Sequence, residues 1–403
     1  MTANTLPYGW SANVRSDRAP TLAGEGASIH AANWDALDGK YGRFFDGSAY
    51  RPDNADSPYH GPGENTPVAN FYTPFFESWP IHLLDPNHGF DADGWGGEYW
   101  NNLVDNAPET FWNEAPDVIG SLPDSYKEGV RNVVRDWFEH AQAMGWLDTN
   151  FQIYLNHKYY YDNCAALWIL EECSTAEDFR AVGAFHEIYR QGAALANAPD
   201  VNWHWRIDIS DRWGQNYGRL DNLINFVVMN DSSTRWHWPN IRYRNTLNSV
   251  RERWTWYGTG PAPQDSGLGH IRKFLQAWAQ GLDGGVPYWN NYDTSWTDAE
   301  PLSIVYSGND VPGFGRYEGA IASTRMKLMR QAQQIVELLN LLSNRPGWTR
   351  ERLTQAVLDK YSDGDWDRSF DGLSEADIYR LHSDLIVELA QEDRPSRSMI
   401  RLR

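Results

Sequence analysis

Short apolar runs alternate with longer segments of mixed polarity along most of the 403-residue chain. The apolar runs are rich in aromatic and β-branched residues and end at turn residues, which is typical of strands. The predicted strands are residues 4–8, 68–75, 151–155, 166–170, 202–209, 223–228, 253–257 and 285–289.

The longer segments between these runs are predicted to be helices. They are residues 124–144, 176–196, 269–280, 320–342, 350–360 and 375–390. Thr349 and Ser374 directly precede the last two helices and are expected to be their N-caps. Ser174 and Glu177 have the spacing of a capping box at the start of the second helix.

Strands separated by helical or long connections favour a parallel α/β fold, and this number of strands fits a (β/α)8 TIM-type barrel. One connection predicts an irregular barrel, because the residues between 155 and 166 are too few for a helical crossover. That region is either one bent strand or an elaborated segment. We predict a barrel domain over residues 1–345 and a helical C-terminal extension, residues 346–403, packed on it.

The charge balance narrows the classes of partner. The chain has 35 basic and 54 acidic side chains and a net charge of −19. This excess of acid argues against a nucleic-acid partner and against binding to an anionic membrane surface. No apolar stretch is long enough to predict a transmembrane helix, and the first residues do not resemble an export signal. The cellular compartment stays open.

Aromatic residues are unusually frequent, with 21 Trp and 21 Tyr. Because an indole face stacks well on the C–H face of a sugar, this excess favours a carbohydrate-binding surface. The alternative is a core that is merely rich in Trp. The two cysteines, Cys164 and Cys173, exclude a disulfide framework and a four-thiolate zinc site.

Polar residues that follow the predicted strands are the candidates for chemistry, because barrel enzymes place their sites at the carboxyl ends of the strands. They include Glu77, Asn156, Lys158, the pair Glu171 and Glu172, and Asp208. Two adjacent acids after a buried strand crowd like charges, which raises one pKa and suits that group to general-acid work.

Structural roles are the alternatives for the same acids. One residue of the Glu171–Glu172 pair could cap a helix while the other lies in a solvated loop. Glu77 and Asp208 are weaker candidates, and an ion pair with Arg206 or Arg212 is the structural alternative for them. The histidines lack metal-ligand spacing, and neither a phosphate-binding loop nor a serine nucleophile motif occurs. We therefore expect no metal and no cofactor.

The acid pair lies in a segment that resembles a known family. Residues 168–179, which read Trp-Ile-Leu-Glu-Glu-Cys-Ser-Thr-Ala-Glu-Asp-Phe, are similar to the strand-end motif of glycoside hydrolase family 123. The C-terminal region resembles the DUF4091 domain found in those proteins. Further similar segments are residues 70–80, 206–210, 281–289, 302–308 and 323–330.

The resemblance implies a TIM-barrel glycosidase in which an adjacent Asp-Glu pair acts by substrate assistance on N-acetylgalactosaminides. Carried over, Glu172 would be the general acid and Glu171 the residue that orients the acetamido group. Glu171 replaces the family's Asp, and Cys173 replaces its Pro. A two-carboxylate mechanism with Glu77 or Asp208 as nucleophile or base therefore stays open.

Sequence and resemblance together predict a glycoside hydrolase that cleaves an oligo- or polysaccharide. Its sugar subsites are expected to be lined by indoles, with Asn156 and Lys158 as polar contacts. The indoles are those of Trp79, Trp168, Trp205, Trp254 and Trp289. The alternatives are a carbohydrate-binding barrel without turnover and a scaffold protein that uses its aromatic residues as interface anchors.

Overall fold

The computed structural model describes residues 20–24, 26–61, 63–73, 124–154, 170, 173, 176–209, 220–247, 253–257, 262, 265–286, 292–293, 304–308, 315–317, 319–362 and 366–391. The chain divides into two compact units. Unit 1 comprises residues 1–227 and 249–252, and unit 2 comprises residues 228–248 and 253–403. No helix among the described residues has the length and apolar character needed to cross a membrane.

The strands of the described chain are mostly short. They are β1 Thr21–Ala23, β2 His30–Asn33, β3 Asn70–Tyr72, β4 Asn150–Ile153, β5 Trp203–Ile209, β6 Phe226–Asn230, β7 Arg253–Tyr257, β8 Gly284–Val286, β9 Tyr292–Asp293, β10 Val305–Ser307 and β11 Ala320–Ala322. The predicted strand at 253–257 has the observed bounds, and those at 68–75, 151–155, 202–209, 223–228 and 285–289 overlap observed strands. The predicted strands at 4–8 and 166–170 involve residues outside the described part, except for Leu170.

Seven longer helices lie in the described part of the chain. They are α1 Asp124–Met144, α2 Ala176–Leu195, α3 Asp231–Leu247, α4 Leu268–Gln280, α5 Thr324–Ser343, α6 Arg350–Tyr361 and α7 Glu375–Ala390. Six of these seven helices overlap predicted helices, and α3 was not predicted. Short helical segments occur at Asp35–Leu37, Asp38–Gly42 and Arg43–Phe45, and 3₁₀ turns occur at Gly26–Ser28 and Ser48–Tyr50. The expected N-caps are confirmed, with Thr349 at α6 and Ser374 at α7. Ser374 also forms a capping box with Asp377.

Strands β3, β4, β5 and β6 are neighbours in a curled, half-barrel sheet of a mixed α/β fold. Phe71, Phe151 and Trp203 lie side by side across its first three strands, which are parallel. Within unit 2, β7 pairs in parallel with β8, and β10 pairs with β9 and β11. A complete (β/α)8 barrel is not shown by the described residues.

One face of the half-barrel sheet is apolar and packs on α1 and α2. Trp203 makes an edge contact with Phe138 of α1 at a centroid distance of 5.8 Å. Helices α1 and α2 approach closely at Gly192, where a Cβ atom would lie 2.7 Å from the Val134 Cβ. Because side chains alternate along a strand, the residues between the apolar ones lie on the opposite face of the sheet, called here the inner face.

Unit 2 has an apolar core built by four helices. Ile271 and Trp278 of α4 and Ile335 of α5 share one cluster with Leu353 of α6 and Leu381 of α7. The predicted domain boundary at residues 345 and 346 falls inside this unit, and helices from both sides contribute to its core. The division into a barrel and a C-terminal extension stays a prediction.

Candidate functional site

The inner face of the half-barrel sheet carries a cluster of polar side chains near the carboxyl ends of β4 and β5. Gln152 and Tyr154 alternate with apolar residues along β4 and just beyond it, and Arg206 and Asp208 do so along β5. Parallel pairing places Gln152 opposite His204. These five residues share one face because each is separated from the next on its strand by two positions.

Asp208 is the centre of the cluster. Its Oδ1 accepts a hydrogen bond from Arg206 Nε at 2.9 Å, and its Oδ2 accepts one from Arg206 Nη2 at 3.1 Å. The Tyr154 hydroxyl donates to Oδ2 at 2.9 Å. The carboxylate side chain is only 3 % exposed. Three donors thus hold one buried carboxylate, and at least one of its acceptor positions is left for another donor.

Arg206 is held from several sides. Its guanidinium lies 4.4 Å above the centroid of the Tyr154 ring and 5.9 Å from that of Phe226. Its Nη1 donates to Gln152 Oε1 at 3.2 Å. The two-point contact with Asp208 uses the fork geometry that only arginine offers. Because the guanidinium is fixed on its face and at its edges, the orientation of the carboxylate is fixed as well.

Gln152 has unused hydrogen-bonding capacity. The residue is fully buried, and its Nε2 has no hydrogen-bond partner among the described residues. Leaving a buried donor unpaired costs about 1–3 kcal/mol, so such groups call for an explanation. A ligand oxygen at the inner face would supply the missing acceptor.

Trp205 lies on the opposite face of the sheet from this cluster. Its ring contacts His186 at 5.1 Å and Tyr189 at 5.4 Å between centroids, both on α2, and it is 2 % exposed. A side chain packed between sheet and helix has no free face for a sugar. Of the aromatic residues expected at the subsites, Trp205 is thus placed in the core of unit 1.

Most other predicted site residues lie outside the described part of the chain. They are Glu77, Trp79, Asn156, Lys158, Trp168, Glu171, Glu172 and Trp289. Leu170 and Cys173 flank the acid pair, and both are buried. Trp254 belongs to β7, and its side chain is not described. The roles expected for these residues stay predictions.

Three residues of the inner-face cluster, Gln152, Tyr154 and His204, were not expected from the sequence. Arg206 was expected only as a structural partner. The signal that could have found them is the alternation of β4 and β5, in which every second residue is polar although the strand is buried. In a sheet covered on one face by helices, that pattern marks polar chemistry on the other face.

No group of three or more His, Cys, Asp or Glu side chains within the described ranges could hold a metal ion. The inner-face cluster instead combines one carboxylate, one guanidinium, one phenol, one amide and one imidazole. Such a set can bind hydroxyl groups, and its carboxylate is paired with the guanidinium.

Comparison with known proteins adds no assignment to this geometry. No protein-family model matches the chain, and no curated protein matches it.

Proposed function

We propose that this protein is a glycoside hydrolase acting on an oligo- or polysaccharide at the carboxyl ends of the half-barrel strands. The observation that carries the proposal is Asp208, a buried carboxylate held by Arg206 and Tyr154 on the inner face of the sheet. Carboxyl ends of parallel strands are where α/β folds place their ligand sites.

Glycoside hydrolysis needs a carboxylate that stays ionised beside a second group that delivers a proton. Asp208 is assigned the first role, because the Arg206 guanidinium and the Tyr154 hydroxyl hold its two oxygens in a fixed orientation. Glu172 is assigned the second role, as general acid for the leaving oxygen. In this two-carboxylate route Asp208 acts as the nucleophile or as the base that activates water.

A substrate-assisted route remains the alternative mechanism within the same proposal. There Glu171 orients the acetamido group of the substrate, and the acetamido carbonyl oxygen attacks the anomeric carbon. The glycosidic C–O bond breaks as Glu172 gives its proton to the leaving oxygen. Asp208 would then stabilise positive charge that develops on the sugar. In both routes Gln152 Nε2, which has no partner within the described ranges, donates to a sugar hydroxyl, and this bond removes the cost of burying an unpaired donor.

A carbohydrate-binding protein without turnover is the second candidate. It is favoured by the dense hydrogen bonding of Asp208, because three donors on one carboxylate also suit a purely structural role. The two candidates differ in one measurable property, since only the hydrolase releases a reducing end.

Hydrolysis should be measured with aryl glycosides, including N-acetylhexosaminides, and with a panel of polysaccharides. The proteins to compare are the wild type, Glu172→Gln, Asp208→Asn and the control Asp384→Asn. Asp384 is a matched control because Lys360 and the Tyr361 hydroxyl contact its carboxylate at 2.8 and 3.1 Å. It thus has a cation and a phenol as partners, but on helix α7.

We expect Glu172→Gln and Asp208→Asn to lower kcat by about a thousandfold or more, and Asp384→Asn to keep wild-type turnover. Activity confined to N-acetylhexosaminides would select the substrate-assisted route, and activity on sugars without an acetamido group would select the two-carboxylate route. Sugar binding without any hydrolysis by the wild type would reject the hydrolase in favour of the binding protein.

A further inference from the structure

Unit 2 carries a row of exposed aromatic side chains outside the inner-face cluster. Trp236 and Tyr243 on helix α3 are 66 % and 63 % exposed, and Trp366, just before helix α7, is 55 % exposed. The ring centroids of Trp236 and Trp366 are 4.8 Å apart, with an angle of 43° between the ring planes. We call Trp366, Trp236 and Tyr243 the aromatic row.

Helix geometry aligns the members of the row that lie on α3. Trp236, Pro239 and Tyr243 are separated by three and four positions, which places them on one face of the helix. At 1.5 Å per residue, Trp236 and Tyr243 are about 10 Å apart along the axis. Pro239 lies between them on this face and is also exposed. The row and Pro239 therefore combine one contacting pair of indoles with two further rings aligned on the same face of α3.

Charged side chains beside the row link helix α3 to the segment between α6 and α7. Arg235 binds Asp371 at 3.0 Å and approaches Asp367 at 3.8 Å, which ties α3 to the segment that carries Trp366. The Arg368 guanidinium stacks 4.2 Å above the Trp238 ring. These contacts link α3 to the segment that carries Trp366 and leave the indoles of Trp236 and Trp366 exposed.

The size of the row decides between kinds of partner. Its exposed rings offer roughly 400 Å², about half of the ~800 Å² that each partner contributes to a stable protein interface. Exposed apolar patches of this size on monomers are often functional. The area suits a ligand a few rings long.

The charge of the chain and of the residues beside the row indicates which class of ligand the row can bind. Asp371, whose side chain is 65 % exposed, lies beside the row, and the whole chain has a net charge of −19. The net charge of the chain disfavours the approach of an anionic ligand. A neutral polyhydroxylated ligand can accept hydrogen bonds from Arg235 and donate to Asp371.

We propose that the aromatic row is a non-catalytic binding site for a neutral glycan chain. Successive sugar rings stack on Trp366, Trp236 and Tyr243, and Arg235 and Asp371 bind their hydroxyl groups. The site goes beyond the proposed hydrolase activity and does not depend on it, because no residue of the row belongs to the inner-face cluster.

Affinity electrophoresis in gels that contain one neutral polysaccharide each tests this site. Suitable polysaccharides are a mixed-linkage β-glucan, a xyloglucan, a galactomannan and dextran. Every protein carries Glu172→Gln, so that the polysaccharide is not degraded during the run. The variants are Trp236→Ala with Trp366→Ala, the conservative Trp236→Phe, and the control Tyr379→Ala. Tyr379 lies on α7 and is 61 % exposed.

We expect at least one polysaccharide to retard the parent protein, and the double variant to bind it about tenfold more weakly. Trp236→Phe should retain part of the binding, and Tyr379→Ala should retain all of it. Equal retardation of parent and double variant overturns the proposal, as does a panel in which no polysaccharide retards the parent.

Two further outcomes would overturn the proposal by identifying another occupant. One is retardation of the parent in an additional gel that contains poly-L-proline and in none of the polysaccharide gels. The other is a parent dimer, seen by size-exclusion chromatography, that the double variant cannot form. Hydrolysis is measured separately, with the aryl glycosides and polysaccharides of the activity screen described above. Retardation that depends on the row, combined with no hydrolysis in that screen, would reject the hydrolase and keep the glycan site.

Discussion

The buried pair of Arg206 and Asp208 allows a quantitative prediction. Their side chains are 10 % and 3 % exposed, and two nitrogen–oxygen contacts of 2.9 and 3.1 Å join them. Removing one partner leaves the other charge buried without compensation, which costs about 3–5 kcal/mol. Removing both charges together leaves no uncompensated ion. The single changes should thus be costly, and the double change should cost much less than their sum.

The perturbation is a double-mutant cycle with Arg206→Met, Asp208→Asn and the double variant. Urea unfolding followed by circular dichroism at neutral pH gives the change in the free energy of unfolding for each. We expect an interaction energy of about 2–3 kcal/mol between the two positions. This energy should change little in 1 M salt, because solvent ions screen a buried pair poorly.

The control is an exposed ion pair of the same kind. Arg190 and Glu187 on α2 are 53 % and 47 % exposed and form contacts as short as 2.7 Å. A cycle on this pair should give no more than about 0.5 kcal/mol and should weaken in salt. If the Arg206–Asp208 cycle is also additive within about 0.5 kcal/mol, the cluster is solvated and the reasoning about Asp208 is refuted.

Three further predictions concern the stability of the two units. Burial lowers the pKa of His270 to about 4. At pH 5 the imidazole of His270 is therefore protonated in the unfolded chain but not in the folded one, which should remove about 2 kcal/mol of the free energy of unfolding. The loss begins as the pH falls below about 6.5, and urea midpoints at pH 7 and 5 should differ less for His270→Gln than for the wild type. Gly192→Ala should cost about 1–3 kcal/mol in urea unfolding, because its Cβ would clash with Val134; an unchanged midpoint contradicts the close helix contact. Ser374→Ala should lower the free energy of unfolding by about 1 kcal/mol, because Asp377 loses its capping partner. An unchanged Tm in thermal unfolding would contradict this role of the cap.

Helices with strong local signals were predictable from the sequence. Helices α1 and α7 have the predicted bounds, and Ser374 provides a clear start for α7. Helix α3 was missed because its sequence contains Pro239 and several aromatic residues, which have low helix propensity. Its helical conformation depends on tertiary packing, which the helix propensities of single residues do not describe.

Short strands were beyond sequence reasoning for a similar reason. Strand β11, Ala320–Ala322, was predicted to be the first turn of a helix, because alanine is a good helix former. The three residues pair with Val305–Ser307 instead, and Ser323 then caps helix α5. Pairing across residues distant in the chain decides such segments.

The parallel half-barrel was predictable, but its closure was not. Alternating strands and helices predict a curled parallel sheet, whereas closure depends on strand tilt and stagger, which are properties of the assembled sheet. In the same way Asp208 was predicted as a site candidate from its place after an apolar run. Its partner Tyr154 was not, since only the register of β4 and β5 brings the two together.

The core of unit 2 has a consequence for how the chain is made. Of the 16 described residues in its apolar cluster, 8 lie at or beyond Leu353. A ribosome releases the chain from its N-terminal end, so helices α4 and α5 emerge before half of the core they need. During that interval Ile271, Ile335 and their neighbours are exposed to water. Unit 2 therefore completes this core only after helix α7 has left the ribosome, and before that point its apolar helices expose surface that can associate with other chains.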